Sequence, residues 1–202
     1  MSDTLAFLHQ KGGTGKSTLA ITAAQVLARR GQAVLILDVD YQGTATAWGE
    51  HFAEGFNTRV VGGIEVRSLV GHEIGDSLAR FGHAFDTIIV DAPPTLSGLS
   101  DNVLHAVDRV LVPTRPAWPD VWALATVAGL ISAGAVTARV EVVFNQAGED
   151  RDMAPYEQYI AALGLTWRPI AMPRHADFAA VFVTGEAGQV ALELTGRMLD
   201  AP

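Results

Sequence analysis

The sequence predicts an α/β protein: a mostly parallel central sheet with helices on both faces. Three observations carry this. Short, continuous apolar runs recur along the chain at strand length. Stretches with helical spacing lie between them. The first, second and central runs each end in a glycine-rich or acidic cluster, where open parallel sheets bind ligands.

Each element follows in order. Thr4-Leu5-Ala6-Phe7-Leu8-His9 has the length of a buried strand. A glycine-rich loop comes next. From Ser17 to Arg30 the spacing predicts a helix with Leu19, Ala20, Ala23, Ala24, Leu27 and Ala28 on one face. Arg29 and Arg30 suit the negative end of its dipole, and Gly31 suits its cap. Ala33 to Leu37 is a second buried strand, ending at Asp38. Residues 64–69 alternate, which marks a more exposed or edge strand. Phe85 to Val90 is a central strand ending at Asp91. Residues 109–113, 140–144 and 166–171 supply three more strands. Helices are expected near 73–82, 98–107, 119–133, 153–163 and 186–199.

The bulk composition narrows the classes. The chain has 202 residues, 49% hydrophobic and 18% charged, so it can bury a core. With no linker, repeat or low-complexity segment, residues 1–202 are expected to form one domain. No run of 18 apolar residues occurs, so no membrane span is expected. The first residues lack a basic region followed by an apolar stretch, so a cytoplasmic protein is expected. Cysteine is absent, which removes disulfides, iron–sulfur ligation and thiol nucleophiles. The net charge is −8, and Lys11 and Lys16 are the only lysines. General attraction for nucleic acid is therefore absent, and any such affinity needs a local arginine patch.

The chemistry concentrates at the strand ends. Gly15, Lys16 and Ser17 fit the end of the phosphate-binding pattern Gly-x-x-x-x-Gly-Lys-Ser/Thr, but Gln10 stands at its first glycine. Gly12, Gly13 and Gly15 let the backbone turn tightly and bring its N–H groups, Thr14 included, to an anion. Lys16 would neutralise the β- and γ-phosphates, Ser17 would ligate Mg²⁺, and Thr18 would reach the α-phosphate. Asp91 ends a buried strand and is the candidate metal residue. Asp40, beside Gln42-Gly43, is the candidate for orienting the attacking water and also joins Ser17 and Asp91 in the metal set. Asp38 either supports the metal shell or caps its strand. Lys11 is a second cation at the mouth of the loop; from the residues alone it is either a local phosphate ligand or a solvated side chain.

Lys11-Gly12-Gly13-Thr14-Gly15-Lys16-Ser17-Thr18 matches the deviant Walker A motif, KGGxGK[ST], and so resembles the ParA/MinD ATPases. Asp38-x-Asp40-x-Gln42-Gly43 is similar to their switch I, and Asp91-x-Pro93-Pro94 to their switch II. Pro113 to Trp122 resembles the family's segment after the next strand. Asn145 stands where the family reads adenine, and Pro173-Arg174, with the stretch up to Gly185-Glu186, resembles its C-terminal base loop and helix. The likeness spans essentially the whole chain. It implies a P-loop NTPase fold of the ParA/MinD (SIMIBI) type that binds ATP or ADP with Mg²⁺. It also implies that Lys11 is a signature lysine, reaching the phosphates of the nucleotide held by the other subunit of a homodimer.

The resemblance further implies a partitioning or positioning ATPase whose ATP-bound dimer binds nonspecific DNA on the nucleoid and is stimulated by a ParB-like or other cargo adaptor, so that a plasmid, chromosome region or protein cargo is segregated. Two departures stand out: Tyr41 replaces a proline common in switch I, and the basic surface is thin. Arg29, Arg30, Arg139, Arg151, Arg168, Arg174 and Arg197 are its possible contributors. A short ParA type without an N-terminal helix-turn-helix is expected. The tail, with one arginine against two glutamates over 186–197, argues against a MinD-like membrane helix. The alternative reading is a metabolic ATP-dependent enzyme resembling dethiobiotin synthetase.

Overall fold

An eight-stranded sheet organises the computed structural model, in the spatial order β3-β4-β2-β5-β1-β6-β7-β8. The structure describes residues 2–53, 60–69, 74–94, 98–134, 136–148 and 151–201. The strands are β1 (Asp3–Phe7), β2 (Val34–Asp38), β3 (Val60–Val61), β4 (Ile64–Ser68), β5 (Thr87–Asp91), β6 (Arg109–Thr114), β7 (Arg139–Ala147) and β8 (Thr166–Pro173). Every pairing is parallel except β3 with β4. The helices are α1 (Lys16–Arg29), α2 (Thr44–Phe52), α3 (Ile74–Phe81), α4 (Gly98–Ala106), α5 (Trp118–Trp122), α6 (Leu124–Ala133), α7 (Ala154–Ala162), α8 (Ala176–Ala179) and α9 (Gln189–Asp200). A 3₁₀ turn, Ala180–Phe182, follows α8.

Strand alternation divides the core into two layers. Leu5, Phe7, Val34 and Ile36 face one cluster, which α1 and α9 complete through Leu19, Ala23, Ala191 and Met198. Ala6, Leu8, Leu35 and Leu37 face the other, completed by Leu78 of α3, Leu104 of α4, Val127 of α6 and Ile160 of α7. Because both faces are covered, the central strands read as unbroken apolar runs.

Several boundaries differ from the sequence expectation for identifiable reasons. The helix expected over 119–133 is two helices meeting at Ala123. The closing helix starts at Gln189, because Gly188 is extended and forms its N-cap. Helix α2 and the two-residue β3 were not expected at all. Strand β4 alternates between buried and more exposed positions as expected, but it is not the edge: β3 covers its outer side over two residues. The helix expected from residue 73 begins at Ile74; residue 73 lies outside the described residues.

Candidate functional site

The loop between β1 and α1 lies at the carboxyl edge of the sheet, with β1 between β5 and β6. Gly15 is the N-cap of α1 with φ of 96°, a left-handed conformation that suits glycine. Its side is occupied: a Cβ there would overlap the Asn145 side-chain nitrogen. No side chain caps α1, and its first turn holds no acid, so the helix presents N–H groups and its positive end to the loop. Lys16 is buried, with Nζ 3.4 Å from the Lys11 carbonyl oxygen. Burial lowers its pKa, while Asp91 and Asp40 pull the other way. Lys11 and Ser17 are half-buried, Thr18 likewise, and Gly12 and Gly13 are exposed. Thr14 is fully buried, and its hydroxyl lies 3.4 Å from the Lys11 carbonyl oxygen.

The acidic residues converge on this loop. The register of β2 on β5 places Asp38 beside Asp91. Asp38 accepts hydrogen bonds from the backbone N–H groups of Asp40 (3.2 Å) and Thr46 (2.7 Å). It therefore ties the end of β2 to the first turn of α2, whose N-cap Gly43 has no side chain to offer. Burial raises the Asp38 pKa, and those N–H donors oppose the rise. Asp40 is half-buried and accepts from the Gln42 N–H at 2.9 Å, closing an Asx turn. Asp91 is fully buried, and neither carboxylate oxygen has a partner at hydrogen-bonding geometry. Burial pushes its pKa up to about 7, with Asp38 and Asp40 adding to the rise. The nearby Ser17 hydroxyl and Lys16 oppose it. Ser17, Lys16, Asp38, Asp40 and Asp91 thus share one electrostatic neighbourhood.

Beside the loop lies a cavity of about 580 Å³, lined among others by Gly15, Thr18, Asn145, Pro173, His175 and Phe178. The ladder between β7 and β8 is irregular at Asn145, and Gln146 takes φ of 56°. That irregularity turns two amides onto the loop. Asn145 Nδ2 donates to the Thr14 carbonyl at 2.7 Å, and Gln146 Nε2 to the Gly13 carbonyl at 2.9 Å.

These residues fit a magnesium nucleotide. An uncapped helix N-terminus, a left-handed glycine and a buried lysine suit a polyphosphate. The two orphan oxygens of Asp91 suit a cation or a water that it holds. No group of three or more His, Asp or Glu among the described residues forms a metal cage by itself.

A family model described as the CobQ/CobB/MinD/ParA nucleotide binding domain matches residues 5–187, which takes in every element of this site. The chain belongs to this family. The Chromosome-partitioning ATPase Soj of Thermus thermophilus is 36% identical over 152 residues, covering 63% of this chain and 59% of that protein. The Maintenance of carboxysome distribution protein A of Gloeobacter kilaueensis is 33% identical over 114 residues, covering 56% and 49%. The chain thus matches about half to three fifths of the length of these curated relatives. Among solved structures, the septum site-determining protein MinD of Pyrococcus horikoshii, complexed with Mg-ADP, superposes with a TM-score of 0.77 at 15% identity. That match covers 98% of this chain and 94% of MinD, and it establishes the shared fold. These relatives set aside the dethiobiotin synthetase-like alternative.

Within this MinD/ParA-type fold, the structure adds residues not singled out by number: Gln146 outside every motif, and three from within the 173–186 stretch. Gln146, His175, Phe178 and Phe182 line the cavity, yet their positions depend on the β7–β8 irregularity and on α8. Gln25 of α1 and Trp48 of α2 both donate to the Gly185 carbonyl, at 2.7 and 3.2 Å. These bonds connect the helices after the loop and after Asp38–Gly43 to the segment beyond the cavity. Several of the candidate arginines are paired within the chain. Arg29 pairs with Glu186, Arg30 with Asp200, and Arg139 and Arg168 with Glu141. Arg151 donates to the Pro116 carbonyl and the Tyr156 hydroxyl.

Proposed function

We propose that this chain is an ATP-dependent positioning ATPase whose Mg²⁺–ATP form is a homodimer, with Lys11 of each subunit directed at the partner's phosphates. The observation that carries it is the division of labour between the two lysines. Lys16 is buried against Asp91 and Asp40 inside the loop. Lys11 stands at the mouth, with its backbone fixed by the loop itself. A cation left at the mouth suits a second polyphosphate, because two facing triphosphates repel and a charge from each side relieves that. Such a contact would make dimerisation depend on the γ-phosphate, and hydrolysis would loosen it.

In this reading Gly12, Gly13, Thr14 and Gly15 present backbone N–H groups to the phosphates, and Thr18 adds its hydroxyl at the α-phosphate. Ser17, Asp40 and Asp91 would hold the Mg²⁺ or its waters, and Asp40 would orient the attacking water. When bound, the Mg²⁺ supplies charge neutralisation across the β- and γ-phosphate oxygens. Asn145 and Pro173, on the cavity wall, would contact adenine.

The dimer would bind nonspecific DNA weakly. Exposed Arg174 and Arg197 carry no ion pair among the described residues, and each phosphate neutralised adds about one unit to the salt slope. A cargo adaptor would stimulate hydrolysis, as fits an acidic chain similar to a Chromosome-partitioning ATPase and a carboxysome distribution protein. A cytoplasmic, nucleoid-associated protein follows from this reading. No described helix is long and apolar enough to cross a membrane.

Turnover tests the proposal. Phosphate release from Mg²⁺–ATP should be slow alone and rise with DNA and an adaptor-containing extract. Equal turnover under all conditions would overturn it, as would transfer of phosphate to a small carboxylate.

A further inference from the structure

His9 ends the first apolar run and belongs to no phosphate-binding pattern, yet it is completely buried. The Lys11 backbone N–H donates to His9 Nδ1 at 2.9 Å. Accepting that bond leaves Nδ1 without a proton, so the neutral ring carries its hydrogen on Nε2. Nε2 is buried, and its N–H is directed at the Asp120 backbone. The ring lies against Asp120, the buried acid of α5. Asp120 is held in turn by Arg115, whose Nε and Nη2 lie 3.0 and 2.9 Å from its Oδ1. The next loop residue, Gln10, donates to the Ala123 carbonyl just beyond α5 at 3.1 Å. Two successive residues therefore fasten the start of the loop to α5, on the far side from the Asp38–Asp91 carboxylates.

The geometry points to His9 as the positioning residue for Lys11: its Nδ1 fixes the Lys11 backbone, and with it the direction in which that side chain leaves the loop. The Lys11 carbonyl is fixed as well, by Thr14 and by Lys16 Nζ, both at 3.4 Å. The peptide groups on both sides of the Lys11 Cα are thus held, and His9 is the holder on the amino side. The assignment rests on the dimer reading above. It adds a requirement that no loop motif contains: an acceptor at the δ position of residue 9.

Three variants separate this from a role in packing alone. His9→Asn keeps an acceptor two bonds from Cβ. His9→Gln moves it one bond farther. His9→Leu keeps the bulk and removes it. Dimer formation is titrated by light scattering with Mg²⁺–AMPPNP, and Mg²⁺–ADP affinity is measured on the same samples. Losing one hydrogen bond to a buried group should weaken dimerisation about tenfold in His9→Leu and His9→Gln, with ADP affinity within about threefold of wild type. His9→Asn should restore the dimer.

A His9→Leu or His9→Gln protein that dimerises like wild type overturns the assignment, as does a His9→Asn protein that fails as badly as His9→Leu. If His9→Leu does not fold, the comparison of Asn with Gln decides. A wild-type chain that stays monomeric fails the dimer reading instead, so the two failures are told apart.

Discussion

Asp38 and Asp91 are register partners on β2 and β5, yet Asp38 accepts two backbone hydrogen bonds and Asp91 accepts none. The pair divides the acidic work. Asp38 shapes the turn leading into α2, while Asp91 remains a buried carboxylate with open lone pairs. Burial costs this carboxylate more than Lys16 and the Ser17 hydroxyl give back, so Asp91 is best explained by what it binds.

The first prediction follows from that cost. In metal-free buffer at pH 8, Asp91→Asn should stabilise the fold by roughly 1–2 kcal/mol, because a buried charge is removed at nearly constant shape. For a chain of this length that is a rise of a few degrees in Tm. Mg²⁺-dependent nucleotide binding should fall in the same variant. Calorimetry with and without Mg²⁺ checks both, and a lowered Tm without metal would count against it.

Gly15 makes a steric prediction. Gly15→Ala forces a side chain into a left-handed position and against the Asn145 amide. The conformational part alone costs about 1–2 kcal/mol. Displacing Asn145 also breaks its bond to the Thr14 carbonyl. Nucleotide affinity measured by calorimetry should fall at least about tenfold, and unchanged affinity would refute the assigned role of the cap.

Gln25 and Trp48 predict a coupling. Both donate to the Gly185 carbonyl, and Gln25 Oε1 also accepts from the Ala187 N–H at 2.8 Å. Gln25→Leu leaves the buried Ala187 N–H unpaired and should cost about 1–3 kcal/mol, whereas Trp48→Phe should cost nearer 1 kcal/mol. The double variant should lose more than the sum of the two, since the Gly185 carbonyl then has neither donor. Urea melts of the three proteins measure this, and strict additivity would contradict it.

His9 sets a pH dependence. Burial lowers its pKa from 6.5 to about 4, Lys16 and Lys11 add to that, and Asp120, paired with Arg115, opposes it. Between pH 6.5 and pH 4 the unfolded chain takes up a proton that the folded chain refuses. The His9 contribution is therefore complete above pH 6.5 and lost as pH falls through that window, by roughly 3 kcal/mol in all. Wild type should lose stability relative to His9→Asn between pH 6.5 and pH 4, and the two curves should run parallel above that window. Parallel curves across the window would show that His9 does not titrate this way.

Much of this was legible in the sequence, and what was not has physical causes. The loop reads well because its meaning is local: glycines, two lysines and a serine in one stretch between a strand and a helix. Asp38, Asp40 and Asp91 read as a group because parallel strands deliver their carboxyl ends to one edge. Helix α2 was hidden because Thr44, Thr46 and Gly49 are weak helix formers and its capping acceptor is the distant Asp38. The break at Ala123 was hidden because Trp122, Ala123 and Leu124 continue a helical pattern. His9 looked like the end of a strand; only its bond to Lys11 gives it a part in the site. The pairings of Arg29 and Arg30 were hidden because their acidic partners, Glu186 and Asp200, lie far away in sequence.

The account turns on Lys11, and the most direct measurement is solution mass by light scattering with Mg²⁺–AMPPNP and with Mg²⁺–ADP. Wild type should double its mass with AMPPNP alone. Lys11→Ala should bind AMPPNP and stay a monomer, and Lys16→Ala should bind neither nucleotide. A Lys11→Ala protein that doubles its mass like wild type, or a wild type whose mass ignores the nucleotide, would contradict the account.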